Sequence, residues 1–261
     1  MDSLWRSIRP YLSRTVRYLH ISYLETKSEY EDTYLGILWI PFSTLIFTGM
    51  LALVFRHSDA LPPSSFFLYV LSGFVLWNFI SDSIGGSTNI IQKRLEFALH
   101  NNLSLGGLFL KILVDRLFEF GINLSVLVLA MLFLSPSNFG ANILLFPPFL
   151  LLISIMSLSV SYLVNLVTIL YPDSGNLTKT AMRFLFFASP VFWLEESKAG
   201  LLHLLATINP VSYFLSLARE VFGVEPLSAQ VWMIGGSITL ASAICAGLAF
   251  RYSQHFVRNI Q

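Results

Sequence analysis

Three acidic residues stand where the chain is otherwise apolar: Asp82, Asp115 and Glu119. Asp115 and Glu119 are four apart, so a helix places both on one face, with Lys111 one turn before Asp115. Paired carboxylates can move protons, and beside a metal they can transfer a sugar from a lipid carrier. Either chemistry needs company. The five histidines are scattered, and there is neither an H-E-x-x-H zinc motif nor a G-x-x-x-x-G-K-[ST] phosphate loop. The chain is therefore expected to carry no catalytic, metal or cofactor site, and to draw any nucleotide chemistry from another chain. The same spacing is met by a plain ion-pair cluster. For Asp82 the readings are a proton relay or a helix-end carboxylate held by water or a partner.

Aromatic side chains are the other chemical excess, with 23 Phe, 10 Tyr and 5 Trp. Trp39, Phe42 and Phe47 fall on one apolar run, and Phe184, Phe187, Phe192 and Trp193 on another. Such rings can stack on the apolar C–H faces of sugars without demanding one linkage, which suits a moving polymer. The competing reading for each is an interfacial belt in a membrane.

The elements that must position these groups follow from composition. The chain of 261 residues is 55% hydrophobic and 12% charged, with a mean hydropathy of +0.68. That balance excludes an ordinary soluble domain. Its basic residues are dispersed and balanced by acids, so no nucleic-acid partner is implied. A single cysteine, Cys245, excludes a disulfide framework. The basic, aromatic start is unlike a cleaved signal peptide.

A helix needs roughly 20 apolar residues to cross a bilayer. Five runs meet this: Gly36 to Phe55, Ser64 to about Ile91, Leu117 to Leu134, Ala141 to Leu170 and Ser228 to Phe250. Another crossing is read from Leu177 to Pro190, with Lys179 and Arg183 snorkelling to one interface. The stretch Ala199 to Ala218 is interrupted by Asn209-Pro210, which reads as two short re-entrant helices rather than a span. Six spans result.

With six, Arg6, Arg9, Arg14, Arg17, Lys27, Lys93, Arg94, Lys111, Arg116, Lys179, Arg183, Arg251 and Arg258 share one side, and only Arg56, Lys198 and Arg219 the other. The positive-inside rule then puts both termini in the cytoplasm. Seven spans fit the charges only slightly worse, so charge leaves the parity open. Before the first span, Leu12, Val16, Leu19 and Tyr23 recur at helical spacing, which reads as an amphipathic helix in the interface or, alternatively, a soluble helix packed on another subunit. The organisation is residues 1–35, a cytoplasmic segment with that helix, and residues 36–261, an all-α integral membrane domain.

At Tyr34-Leu35-Gly36-Ile37-Leu38-Trp39 the chain resembles the first-span start of ABC-2 type permeases that export polysaccharide. In order follow Leu71-Ser72-Gly73-Phe74-Val75-Leu76-Trp77-Asn78-Phe79, Ser87-Thr88-Asn89, Ser189-Pro190-Val191-Phe192, and Asn209-Pro210 with Arg219-Glu220. Ordered matches over nearly the whole chain make the resemblance specific. The chain departs from the family at Glu29-Tyr30-Glu31-Asp32, where basic residues are usual, and at Asn101-Asn102-Leu103-Ser104 and Tyr171-Pro172-Asp173.

The resemblance implies the transmembrane subunit of an inner-membrane exporter of O-antigen, capsular polysaccharide or teichoic acid. It implies a homodimer working with two copies of a separate ATPase that binds ATP and Mg, a lipid-linked glycan as substrate, and membrane lipids around it. It also favours six spans. By the same resemblance Leu95 to Leu105 docks into the ATPase, with coupling around Arg94, Glu96, Phe97 and His100. The first and fifth spans line the path, and the helices around Asn209 and Pro210 form an outer gate. The alternatives are an exporter of the same fold for a drug or small lipid, and a membrane-embedded sugar transferase using Asp82, Asp115 and Glu119.

Overall fold

The computed structural model describes residues 2–56, 61–101, 103–194 and 200–257, and of the side chains those between 16 and 252. Asn102, Lys198 and Arg258, and the side chains of Arg6, Arg9, Leu12 and Arg14, lie outside the described residues. Among those described, all regular structure is helical: α1 (Asp2–Glu29), α2 (Trp39–Val54), α3 (Pro63–Gly85), α4 (Ile90–His100), α5 (Leu105–Leu134), α6 (Phe146–Leu170), α7 (Ser174–Ala188), α8 (Leu201–Ile208), α9 (Pro210–Val221) and α10 (Ala229–Val257).

Five stretches are long and apolar enough to cross a membrane: Gly36–Val54, Pro63–His100, Leu105–Leu134, Ala141–Leu170 and Ala229–Tyr252. The remaining crossing is α7, whose 15 residues span about 22 Å against the roughly 30 Å of a hydrocarbon core. It begins with Gly175 packed on Thr88 and Thr168. It ends at the opposite end of the bundle, where Ser189 Oγ accepts from Asn209 Nδ2 at 2.7 Å. The non-helical segment Ser189 to Leu194 completes the distance, and its carbonyls are met by side chains rather than by a helical turn.

Packing decides the parity that charge left open. The Phe109 ring of α5 meets Tyr162 of α6 at 5.2 Å, and Tyr162 meets Phe250 of α10 at 5.6 Å. The C-terminal end of α10 thus lies beside the start of α5, and α1 packs on that same part of α5 through Ser22 and Asp115. The later part of α1 and the C-terminal part of α10 occupy one end of the bundle, here called the near end, so the crossings between them are even in number. Helices α8 and α9 meet at 85° at the Asn209-Pro210 break, and α9 ends at the far end, where Asn142 Nδ2, just before α6, donates to the Glu220 carbonyl at 3.1 Å.

At the centre stands α3: 72% of its most apolar window is buried, against 17–28% in the other four long spans. Those spans keep wide apolar faces open, as lipid-facing helices do. Between spans, where lipid removes most of the hydrophobic drive, polar ties fix the packing. Thr44 Oγ1 donates to Asn123 Oδ1 at 2.8 Å, Ser161 Oγ to the Ser83 carbonyl at 2.7 Å, and Asn165 Nδ2 to the Ser87 carbonyl at 2.8 Å.

Two boundaries differ from those read by hydropathy. The third span was drawn from Leu117, but α5 begins at Leu105, with the Ser104 side chain accepting from the Gly107 N–H. The charges of its first turns pair with one another and with α1 and α4, so the helix runs through them. The second span was drawn to about Ile91, but α3 stops at Gly85 and a 3-10 turn, Gly86–Asn89, swings the chain into α4.

Candidate functional site

Three regions gather the side chains singled out by sequence. At the far end, Asn209 is buried and caps α9, its Oδ1 accepting from the Val211 N–H at 3.0 Å, while Pro210 takes the first helical position. Proline suits that position because its missing N–H would have no helical partner there. Beyond them lies Arg219, on the far side where the charge count has it. It is fully buried in α9. Its guanidinium lies 3.5 Å from the Tyr69 ring centroid. It donates to the Pro190 carbonyl at 2.5 Å, to the Tyr69 carbonyl at 3.4 Å and to Glu225 at 3.3 Å. One cation thereby joins α9, α3 and the segment after α7. The neighbouring Glu220 is equally buried and accepts from Trp232 Nε1 of α10 at 2.8 Å.

Along the middle runs an aromatic groove. A cavity of 500 Å³ is lined by Phe47 of α2, Phe74 and Trp77 of α3, and Phe186 and Phe187 of α7. Phe192 closes the set, 4.4 Å from Phe55 and 5.3 Å from Phe186. Trp193 donates its Nε1 to the Phe187 carbonyl at 3.2 Å. Trp39 pairs edge-on with Phe42 at 5.6 Å and lines an adjoining cavity of 440 Å³ that shares Phe47 and Phe74. Phe184 is set apart, 64% exposed on the outer face of α7.

The hub of this groove escaped the sequence reading. Phe186 touches Phe47, Phe74, Trp77, Phe187 and Phe192. It sits between two residues that were chosen, and only the rotation of α7 tells which of three clustered phenylalanines faces α3. Trp77 and Phe74 were quoted for the resemblance but not assigned to the path; a long apolar run gives no inward face by periodicity.

At the near end a charged cluster ties three helices. Lys111 of α5 is fully buried, and its ammonium is held by Glu25 of α1 and by both Asp115 oxygens at 2.8 Å. Asp115 also accepts from Ser22 Oγ at 2.5 Å. Arg94 of α4 lies 3.4 Å from Glu25 and 3.6 Å from Asp115. Phe97 of α4 lies beneath the Lys111 ammonium at 5.6 Å. Of the four residues expected to couple to an ATPase, Arg94 and Phe97 turn inward to the cluster. Glu96 and His100 stay exposed, the His100 ring reaching the Glu96 carbonyl at 2.8 Å.

All three carboxylates line one polar cleft of 590 Å³ between α1, α2, α3, α4 and α5. Within it Asp115 is committed to Lys111 and Ser22, and Glu119 pairs with Arg116 at 3.5 Å. Among the described residues no group of three or more His, Cys, Asp or Glu is placed to hold a metal. The apolar stripe of α1 also faces away from the bundle: Val16, Leu19 and Tyr23 are exposed while Ser22 and Thr26 are buried.

A bundle of long apolar helices with a helix pair bent by 85° and an open aromatic groove is suited to a membrane transport subunit. The chain is similar to the O-antigen export system permease protein RfbA of Myxococcus xanthus, with 24% identity over 220 residues that cover 78% of this chain and 82% of that protein. The sequence model described as "ABC-2 type transporter" matches residues 19–222, from within α1 to just past α9, and the chain belongs to the ABC-2 type transporter family.

Proposed function

We propose that this chain is the transmembrane subunit of an exporter that moves a lipid-linked polysaccharide, of O-antigen, capsule or teichoic acid type, across the bacterial cytoplasmic membrane. The observation that carries the reading is the aromatic groove. Its rings offer a stacking surface that does not demand one sugar linkage, and Ser81, Asp82, Lys179 and Arg183 line the same cavity beside them. The export role printed for the similar permease agrees with it.

Two copies of the chain form the path between their α2 and α7 faces, and two copies of a separate ATPase supply closure on ATP and Mg. The near end faces the cytoplasm, because Lys93, Arg94, Lys111, Arg116 and Arg251 gather there while Arg56 lies near the far end. Helix α4 docks the ATPase through its exposed Glu96 and His100, and its movement reaches α1 and α5 through Arg94 and Phe97. Helices α8 and α9 form the outer gate.

The test is reconstitution of the chain with the ATPase encoded beside it. Vesicles are expected to show ATP-dependent glycan movement that Trp77→Ala together with Phe186→Ala reduces at least tenfold. Glycan movement without ATP, or full movement by the double variant, defeats the proposal.

A further inference from the structure

The two cations of α7 have no ion-pair partner among the described residues. Lys179 and Arg183 lie four apart on α7, and both line the 500 Å³ aromatic cavity with Trp77 and Phe186. Hydropathy assigns them to snorkelling toward lipid. Yet Arg183 is nine residues from the start of α7 at Ser174, about 14 Å along the axis, and it opens to the cavity. Intramembrane cations almost always face a bundle interior or an aqueous cavity and meet a counter-charge there. Lys111, Arg116, Arg94 and Arg219 have each found one within the fold. Neither Lys179 nor Arg183 has an ion-pair partner among the described residues, although Asp82 lines the same cavity from α3.

The geometry points to an anion-binding subsite at Lys179 and Arg183 that takes the phosphate joining sugar to lipid, while the rings beyond it take the sugar. The inference rests on the exporter reading and adds which substrate group is held, and where. An arginine and a lysine one turn apart can share the oxygens of one phosphate, the arginine by two parallel N–H donors. Both cations are exposed where they line the cavity, so an entering phosphate can reach them. A phosphate seated there hangs its first sugar ring against Trp77 and Phe186, and Gly85, which lines the cavity with open space where a side chain would stand, leaves room for the lipid side.

The experiment titrates the purified full chain, in phosphatidylcholine nanodiscs, with farnesyl diphosphate, farnesol and inorganic diphosphate, each against empty discs. Farnesyl diphosphate is expected to bind, and Lys179→Gln with Arg183→Gln to weaken it at least about tenfold, the loss of one or two charged contacts. Farnesol binding stays unchanged in that variant, which shows that the groove is still folded, and Lys179→Arg with Arg183→Lys stays within about threefold of wild type. The inference is overturned by equal farnesyl diphosphate affinity in the neutral variant. It is overturned equally if phosphatidylglycerol discs abolish wild-type binding, since the pair then serves bilayer headgroups, or if inorganic diphosphate binds as tightly as the lipid-borne group. Unaltered diphosphate binding in the neutral variant beside normal ATP-driven glycan movement removes the subsite alone; absent glycan movement removes the exporter reading instead.

Discussion

Replacing Gly73 by alanine is expected to destabilise the far end even though alanine is the better helix former. A Cβ on Gly73 would lie 2.7 Å from Arg219 Nη2 and 3.3 Å from the Val191 carbonyl oxygen. The guanidinium cannot step aside freely. Its Nη2 is bonded to Pro190, its Nη1 to Glu225, its Nε to the Tyr69 carbonyl, and its plane rests on the Tyr69 ring. Restoring an ordinary contact needs a shift of nearly 1 Å, which breaks the charge-assisted bond to Pro190. Loss of that bond costs about 1.5–3 kcal/mol, and the overpacking adds about 1–3 kcal/mol. Alanine over glycine returns about 1 kcal/mol, leaving a net loss of about 3 kcal/mol. Equilibrium unfolding in mixed detergent micelles measures it, with the cycle completed by Arg219→Met and the double variant. On the Arg219→Met background the clash is gone, so Gly73→Ala should be neutral or mildly stabilising, a coupling of about 3 kcal/mol. A Gly73→Ala variant within 0.5 kcal/mol of wild type, or additive behaviour in the double, refutes the argument.

Three other substitutions test the remaining regions. Phe186→Ala should cost about 2–3 kcal/mol of unfolding free energy, below the usual range for a fully buried phenylalanine because Phe186 is half-buried; Phe184→Ala, on the exposed face, should stay within about 0.5 kcal/mol. Lys111→Met should cost about 1–3 kcal/mol and lower ATPase stimulation in the assembled complex. The cost stays under that of a fully buried broken pair because Glu25 is 38% exposed and Asp115 keeps Ser22 and Arg94; unchanged stimulation would refute a role in transmission. Asn165→Ala should cost about 0.5–1.5 kcal/mol by removing the side-chain donor that the Ser87 carbonyl holds beside the Ile90 N–H, seen as a lower melting temperature, and an unchanged melting temperature would show that water replaces the amide.

The fold class was legible because it depends on one-dimensional quantities. Length and apolarity of a run decide whether it can cross lipid, and no packing partner can reverse that decision. The Asn209-Pro210 break was equally legible: an asparagine cap and a proline at the first helical position are local chemistry. The groove was legible only in part. Phe47, Phe187 and Phe192 line or close it, but in a membrane the apolar residues of a helix are not confined to its inward face, so sequence could not separate Phe186 from Phe184.

By itself, the sequence determined that the chain is an all-helical membrane protein without a phosphate loop, and where its helices must break. Tertiary structure alone decided the burial of Lys111, the cavity that Lys179 and Arg183 line, and the burial of Arg219. The physical reason is common to all three. A charge in an apolar chain is priced by its surroundings rather than by its neighbours in sequence, and the groups that surround Arg219, from Tyr69 to Pro190, lie 150 and 29 residues away.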